Sequence, residues 1–145
     1  MDVTQLADLQ KLAKAQFDRD ATELRTSVAA ETRLQAALDA IAESEARRAE
    51  ALTGDLAVAF AQTGEALWQT WAEARRRELL MALANQRAVT ETIKQRARAS
   101  FGRHSALGAL ETKLRKEALE EAARQETERL VELEVHKRWM TPPGD

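Results

Sequence analysis

A seven-residue repeat carried by about seventy-five residues without a proline limits the folds open to this chain more than any other feature. From Glu65 to Trp139 no stretch resembles a loop. In its middle, Leu79, Gln86, Ile93, Ser100, Leu107 and Leu114 recur every seven residues, and a second row, Leu83, Thr90, Ala97 and His104, lies four residues further on. Two such rows make the narrow seam of a coiled-coil helix. A lone helix cannot bury a seam, so a second helix must lie along it.

The earlier part of the chain supplies that helix, expected over about 3–52. Asp2 and Gln5 have the spacing of a capping box at its start. Its apolar stripe reads Leu6, Leu9, Leu12 or Ala13, Phe17, Ala21, Leu24 and Val28, then Leu34, Leu38 and Ile41. The step from Val28 to Leu34 breaks the spacing, with Ala30 or Glu31 on the seam, and predicts a local slip of the stripe. Leu52-Thr53-Gly54-Asp55 is the first break, since Gly54 suits a helix C-terminus and Asp55 can cap the next helical turn. Gln62-Thr63-Gly64-Glu65 is the second, so residues 53–64 read as the connection, with one or two helical turns expected over Leu56, Val58 and Phe60.

The second helix then covers about 65–139, and Pro142-Pro143 ends it ahead of a short tail. The expected fold is all-α: one domain, an elongated antiparallel two-helix coiled-coil hairpin with a longer second helix. At 1.5 Å per residue the two helices pair for roughly 70 Å and leave a C-terminal overhang of roughly 40 Å. Beyond Leu114 the seam thins and charges multiply, with Lys113-Glu117, Lys116-Glu120, Glu120-Arg124 and Glu134-Arg138 at i,i+4. Such pairs support a solvated helix by a few tenths of a kcal/mol each. Gly102 and Gly108 interrupt the helix former pattern at about 1 kcal/mol each. They predict either a close approach of the first helix or a kink.

Composition agrees with long helices. Charged residues make up 32% and aromatics 4%, Tyr is absent, and Ala and Leu dominate the apolar share, so no large three-dimensional core is expected. The net charge of −2 excludes a globally basic nucleic-acid binder. There is no cysteine, hence no disulfide, thiol chemistry or zinc–thiolate site. The first residues lack the basic and apolar regions of a signal peptide, and the uncharged stretch Leu56 to Gly64 covers only part of the length of a membrane span. A soluble cytoplasmic protein is the expectation.

Catalysis is not expected: no phosphate loop, metal-ligand spacing or nucleophile–base set occurs, and no cofactor is implied. His104 reads as a packed seam residue and His136 as a surface one. Two other features point to binding. Between Arg75 and Arg103 eight basic residues face only Glu78 and Glu91. They predict pairing with the acidic first helix, an acidic protein partner, or nucleic acid, although base-stacking aromatics and groove-entering motifs are missing. Trp68 and Trp71, three residues apart, either plug the hairpin end against Phe60 and Leu52 or form a binding hot spot. Trp139, near the C-terminus, is harder to bury and can anchor the overhang. The candidate partner-binding residues are therefore Trp68, Trp71, Arg75, Arg76, Arg77 and Trp139.

The whole chain resembles the FliJ family of flagellar export proteins and its injectisome relatives of the YscO type. The resemblance rests on length, a shorter first helix, a Gly-containing turn, and Trp68-Gln69-Thr70-Trp71 opening the second helix ahead of Leu79-Leu80 and Gln86-Arg87. Phe101-Gly102-Arg103 and the charged run Glu117 to Arg124 fit the later part of the pattern. It implies a non-enzymatic component of a type III export apparatus, peripheral to the membrane. Its partners would be the pore of a hexameric export ATPase, the cytoplasmic domain of the export gate and export chaperones, with no nucleic acid and no membrane insertion. The alternative class is a stand-alone coiled-coil adaptor or self-assembling structural protein.

Overall fold

The computed structural model describes residues 2–51, 55–141 and 144, with residues 55–63 by their backbone only. Two helices make up the fold: α1, Val3–Ala51, of 49 residues, and the longer α2, Asp55–Met140, of 86 residues. They pack against each other, and no strand occurs among the described residues. The start of α1 uses half of the expected box: Asp2 N donates to Gln5 Oε1 at 3.3 Å and Leu6 N donates to Asp2 O at 3.0 Å. At the other end of α2, Lys137 and Arg138 occupy the last turn, where cations oppose the negative end of the helix dipole. Thr141 N closes that turn on Lys137 O at 3.0 Å.

The expected connection over 53–64 is corrected by this geometry. Residues 55–64 belong to α2, and the predicted break at Gln62-Thr63-Gly64 is helix. One glycine costs about 1 kcal/mol, too little by itself to end a helix that continues on both sides of it. The predicted break at Leu52-Thr53-Gly54 lies outside the described residues.

Contacts divide the chain into two units, one formed by Ala15–Phe101 and the other by Met1–Lys14 with Gly102–Asp145. In the Ala15–Phe101 unit the paired residues run in opposite directions along the chain. Phe17 meets Phe101 with ring centroids 5.4 Å apart, Glu23 binds Arg96 at 2.9 Å, Ser27 meets Thr90 at 2.6 Å, and Glu45 binds Arg76. The apolar centre is Ile41, Ala72 and Leu79, flanked by Leu34, Ala37, Leu38 and Trp68. Each large side chain buried there contributes about 1.5–3 kcal/mol.

Burial along α1 repeats every seven residues without the predicted slip. Asp20, Ser27 and Ile41 are buried and Leu34 half-buried, while Phe17, Leu24, Glu31, Leu38 and Glu45 form the second, half-buried row. The chain therefore keeps one register and places polar side chains in it. Val28, expected on the seam, is exposed. Across from this segment, Ser100 and Thr90 are buried on α2 beside Leu79, Leu83 and Ala97.

These polar groups find partners locally. Gln86 Nε2 donates to Ser27 Oγ at 2.7 Å, Ser27 Oγ and Thr90 Oγ1 share a hydrogen bond, and Ser100 Oγ donates to Ala97 O at 3.1 Å. Asp20 is only 1% exposed, and its Oδ2 has no hydrogen-bond partner.

In the second unit Leu6 and Ala13 are buried on α1, and Leu107, Leu110 and Leu114 are half-buried on α2. Gln10 Nε2 ties them, donating to Glu111 Oε2 at 2.6 Å and to Leu107 O at 3.4 Å. Leu9 and Leu12, expected on the stripe, are exposed, Leu12 at 68%. Gly102 and Gly108 lie within an uninterrupted helix, and a Cβ at either would meet nothing within 4 Å. The predicted close approach of α1 to these glycines is thus absent. From Arg115 to Met140 every residue of α2 is exposed.

Candidate partner-binding surface

Trp68 and Trp71 stand one helical turn apart on α2, a spacing that puts both indoles on one side of the helix. Their ring centroids lie 6.3 Å apart with planes tilted by 44°. The two rings nevertheless have different surroundings. Trp68 is half-buried beside Ile41, Ala72 and Leu79, and the guanidinium of Arg48 sits 4.3 Å from its ring centroid. Arg48 is itself fixed by Glu65, Nε to Oε2 at 3.0 Å. A cation over an indole face adds about 0.5–1 kcal/mol at a partly exposed site. Trp71 is 55% exposed and contributes an open indole face.

The predicted plug against Leu52 and Phe60 lies outside the described side chains. Trp68 does fasten the helix pair, through Ile41, Ala72, Leu79 and Arg48.

Opposite Trp71, α1 presents Ala37, Ala40 and Ser44. Side chains this small leave a shallow trough of about 330 Å³, walled by Trp68, Trp71 and Arg75 and floored by Ile41 and Leu79. An apolar trough with a ring on one wall and a guanidinium at its rim suits a helix or strand bearing an aliphatic side chain beside a carboxylate.

The three consecutive arginines point to different partners, as helical geometry requires of neighbours 100° apart. Arg75 binds Glu78 at 3.2 Å, Arg76 reaches across to Glu45 of α1, and Arg77 meets Glu73 at 3.8 Å. Arg75 alone of the three lines the trough. Of the predicted set, then, Trp68, Trp71 and Arg75 come together. Arg76 serves the helix pair, and Arg77 is exposed and paired within its own helix. Trp139 belongs to the other unit and is 85% exposed.

The basic stretch divides in the same way. Arg96 joins α1 through Glu23 at 2.9 Å, whereas Arg87, Lys94 and Arg98 are exposed and make no ion pair among the described residues. Their spacing of seven and then four puts them on one face of α2. Sequence reasoning counted these charges as one block; sorting them by helical face would have separated the paired from the free ones.

Among the described residues no helix is long and apolar enough to cross a membrane, and no group of three or more His, Cys, Asp or Glu is placed to hold a metal ion. No protein-family model, no curated protein and no solved structure matches this chain.

Proposed function

We propose that this chain is a non-enzymatic component of a type III protein export apparatus, an antiparallel coiled-coil hairpin of the FliJ/YscO type. On this reading it works in the cytoplasm, peripheral to the membrane-bound machinery. The C-terminal part of α2 would enter the ring of the export ATPase, and the Trp68–Trp71–Arg75 trough would meet the export gate or an export chaperone.

The observation that carries the reading is the exposed run Arg115–Met140, a helix of mixed charge with no covering element among the described residues. A shaft inside a ring must touch its walls without adhering to them, and a charged helix with sparse apolar side chains has that character. Arg115 pairs with Glu111 at 2.6 Å and Arg124 with Glu121 at 2.6 Å, each adding a few tenths of a kcal/mol to this helix.

ATP hydrolysis by a purified export ATPase, measured with and without this protein, tests the reading. The full chain should raise the rate, and a chain lacking residues 120–145 should not. Equal rates with either chain, both verified as helical by circular dichroism, would remove the ring contact from the proposal.

A further inference from the structure

Past Leu114 the residues that continue the buried rows of α2 are Ala118, Glu121, Gln125, Glu128, Glu132 and Val135, so the face packed on α1 turns largely acidic. Another row replaces it. Leu119, Ala123, Glu126, Leu130, Leu133, Lys137 and Met140 recur in alternating steps of four and three, and all are exposed. At 100° per residue this row lies roughly a third of a turn round the helix from Leu107 and Leu114, away from the side that α1 covers. It spans about 33 Å.

We propose that a second copy of this chain covers this face, with residues 119–140 of the two copies parallel and in register. The spacing is that of a two-stranded seam, with Ala123, Leu130 and Lys137 at one core position and Leu119, Glu126, Leu133 and Met140 at the other. Charge selects the orientation. In a parallel pair the residues flanking the seam meet their partners five positions further on. Arg129 then faces Glu134 of the other copy and Arg115 faces Glu120, each contact occurring twice by symmetry. The remaining flanking pairs, Ala122 with Thr127 and His136 with Thr141, set no like charges together.

An antiparallel pair would set Glu120 against Glu134 and Arg129 against Arg129, all repulsive. Arg129, Glu134 and Glu120 make no ion pair within the chain among the described residues, and Arg115 has one partner, Glu111. Glu126 and Lys137 weaken the seam, as polar residues at core positions do while fixing register. The association is therefore concentration-dependent. This inference concerns the free chain and does not rest on the export reading.

Sedimentation equilibrium of the full chain over a range of concentrations tests it, with circular dichroism to show that each variant remains helical. The wild type should shift from monomer to dimer as concentration rises. Glu126→Leu should tighten the dimer at least tenfold, because it replaces a core carboxylate by the residue the position favours. Leu130→Asp with Leu133→Asp should leave only monomer. Arg129→Glu should weaken the dimer, and adding Glu134→Arg to it should restore the wild-type constant.

The chain has no cysteine, so Ala123→Cys reports orientation directly and should give a disulfide-linked dimer on mild oxidation. Four results would overturn the proposal: a monomer at every concentration, a dimer indifferent to Leu130 and Leu133, no gain from Glu126→Leu, or failure of the Ala123→Cys copies to cross-link.

Discussion

Ser27 of α1 and Thr90 of α2 share a 2.6 Å hydrogen bond between hydroxyl groups that are both buried between the helices. Gln86 Nε2 donates to the same Ser27 oxygen at 2.7 Å, and Thr90 Oγ1 donates to Gln86 O at 2.9 Å. A position where two packed helices would ordinarily place Leu against Leu is thus held by three polar side chains.

Removing one member should cost more than removing two. Thr90 Oγ1 donates to Gln86 O at 2.9 Å, so Ser27→Ala leaves the Gln86 amide without its acceptor and the Thr90 oxygen without its donor, and should destabilise the protein by about 1–2 kcal/mol. Adding Thr90→Val to it should recover part of that loss, since the Thr90 oxygen left without a donor goes with it. A double-mutant cycle from thermal or urea unfolding should give a coupling of about 0.5–1.5 kcal/mol. Additive losses would mean that the hydroxyl contact carries no energy.

Asp20 should be a stabilising position to replace. Its carboxylate is buried, and Oδ2 has no hydrogen-bond partner. Asp20→Leu removes that desolvation cost and supplies apolar surface, with an expected gain of about 1–2 kcal/mol. A lower unfolding midpoint for Asp20→Leu would show that the carboxylate is compensated in solution.

The helix interior glycines should be similarly improvable. A methyl group at Gly102 or Gly108 meets no atom within 4 Å, so only the backbone term remains. Gly102→Ala and Gly108→Ala should each add about 1 kcal/mol. The unfolding midpoint of the double variant should exceed that of either single one, and destabilisation by either would point to a bend in α2 that alanine resists.

The two neighbouring tryptophans should separate by phenotype. Trp68→Ala strips a side chain packed on Ile41, Ala72 and Leu79 and should cost about 2 kcal/mol, below the range for a fully buried ring. Trp71→Ala should change stability by no more than about 0.5 kcal/mol and, under the function proposed above, weaken binding to an export-gate or chaperone partner. Partner binding by Trp71→Ala equal to the wild type in a pull-down would remove the trough from the interaction surface.

Much of this was legible in the chain. The row from Leu79 to Leu114 is half-buried or buried at each of its six positions, because regular spacing survives even where Gln86 and Ser100 interrupt the apolar character. On α1 the same spacing, Leu6, Ala13, Asp20, Ser27, Leu34 and Ile41, is buried or half-buried throughout. A search for apolar side chains misses it, since Asp20 and Ser27 look like surface residues. That search moved instead to Leu9, Leu12 and Val28, which are exposed.

Gly64 misled for a related reason: local propensity marked a break that the surrounding helix absorbs. The candidate site was legible in its tryptophans and in Arg75. The destination of Arg76 depends on which α1 residue stands opposite, and Glu45 is identified only once the two helices are aligned, whereas Arg77 pairs with Glu73 of its own helix.

The Ser27–Gln86–Thr90 cluster has a consequence for how the chain folds. Two helices with repeating apolar rows can dock out of step by one repeat and still bury carbon against carbon. The slide that brings Leu34 to the place of Ser27 would leave the Gln86 amide without its acceptor in the interface. One stranded group costs about 1–3 kcal/mol, which disfavours the misaligned form by about five- to 150-fold. A purely aliphatic seam would adhere more strongly but would tolerate such errors. In this chain the polar cluster favours the correct register, because that misaligned pair separates more readily than the correct one.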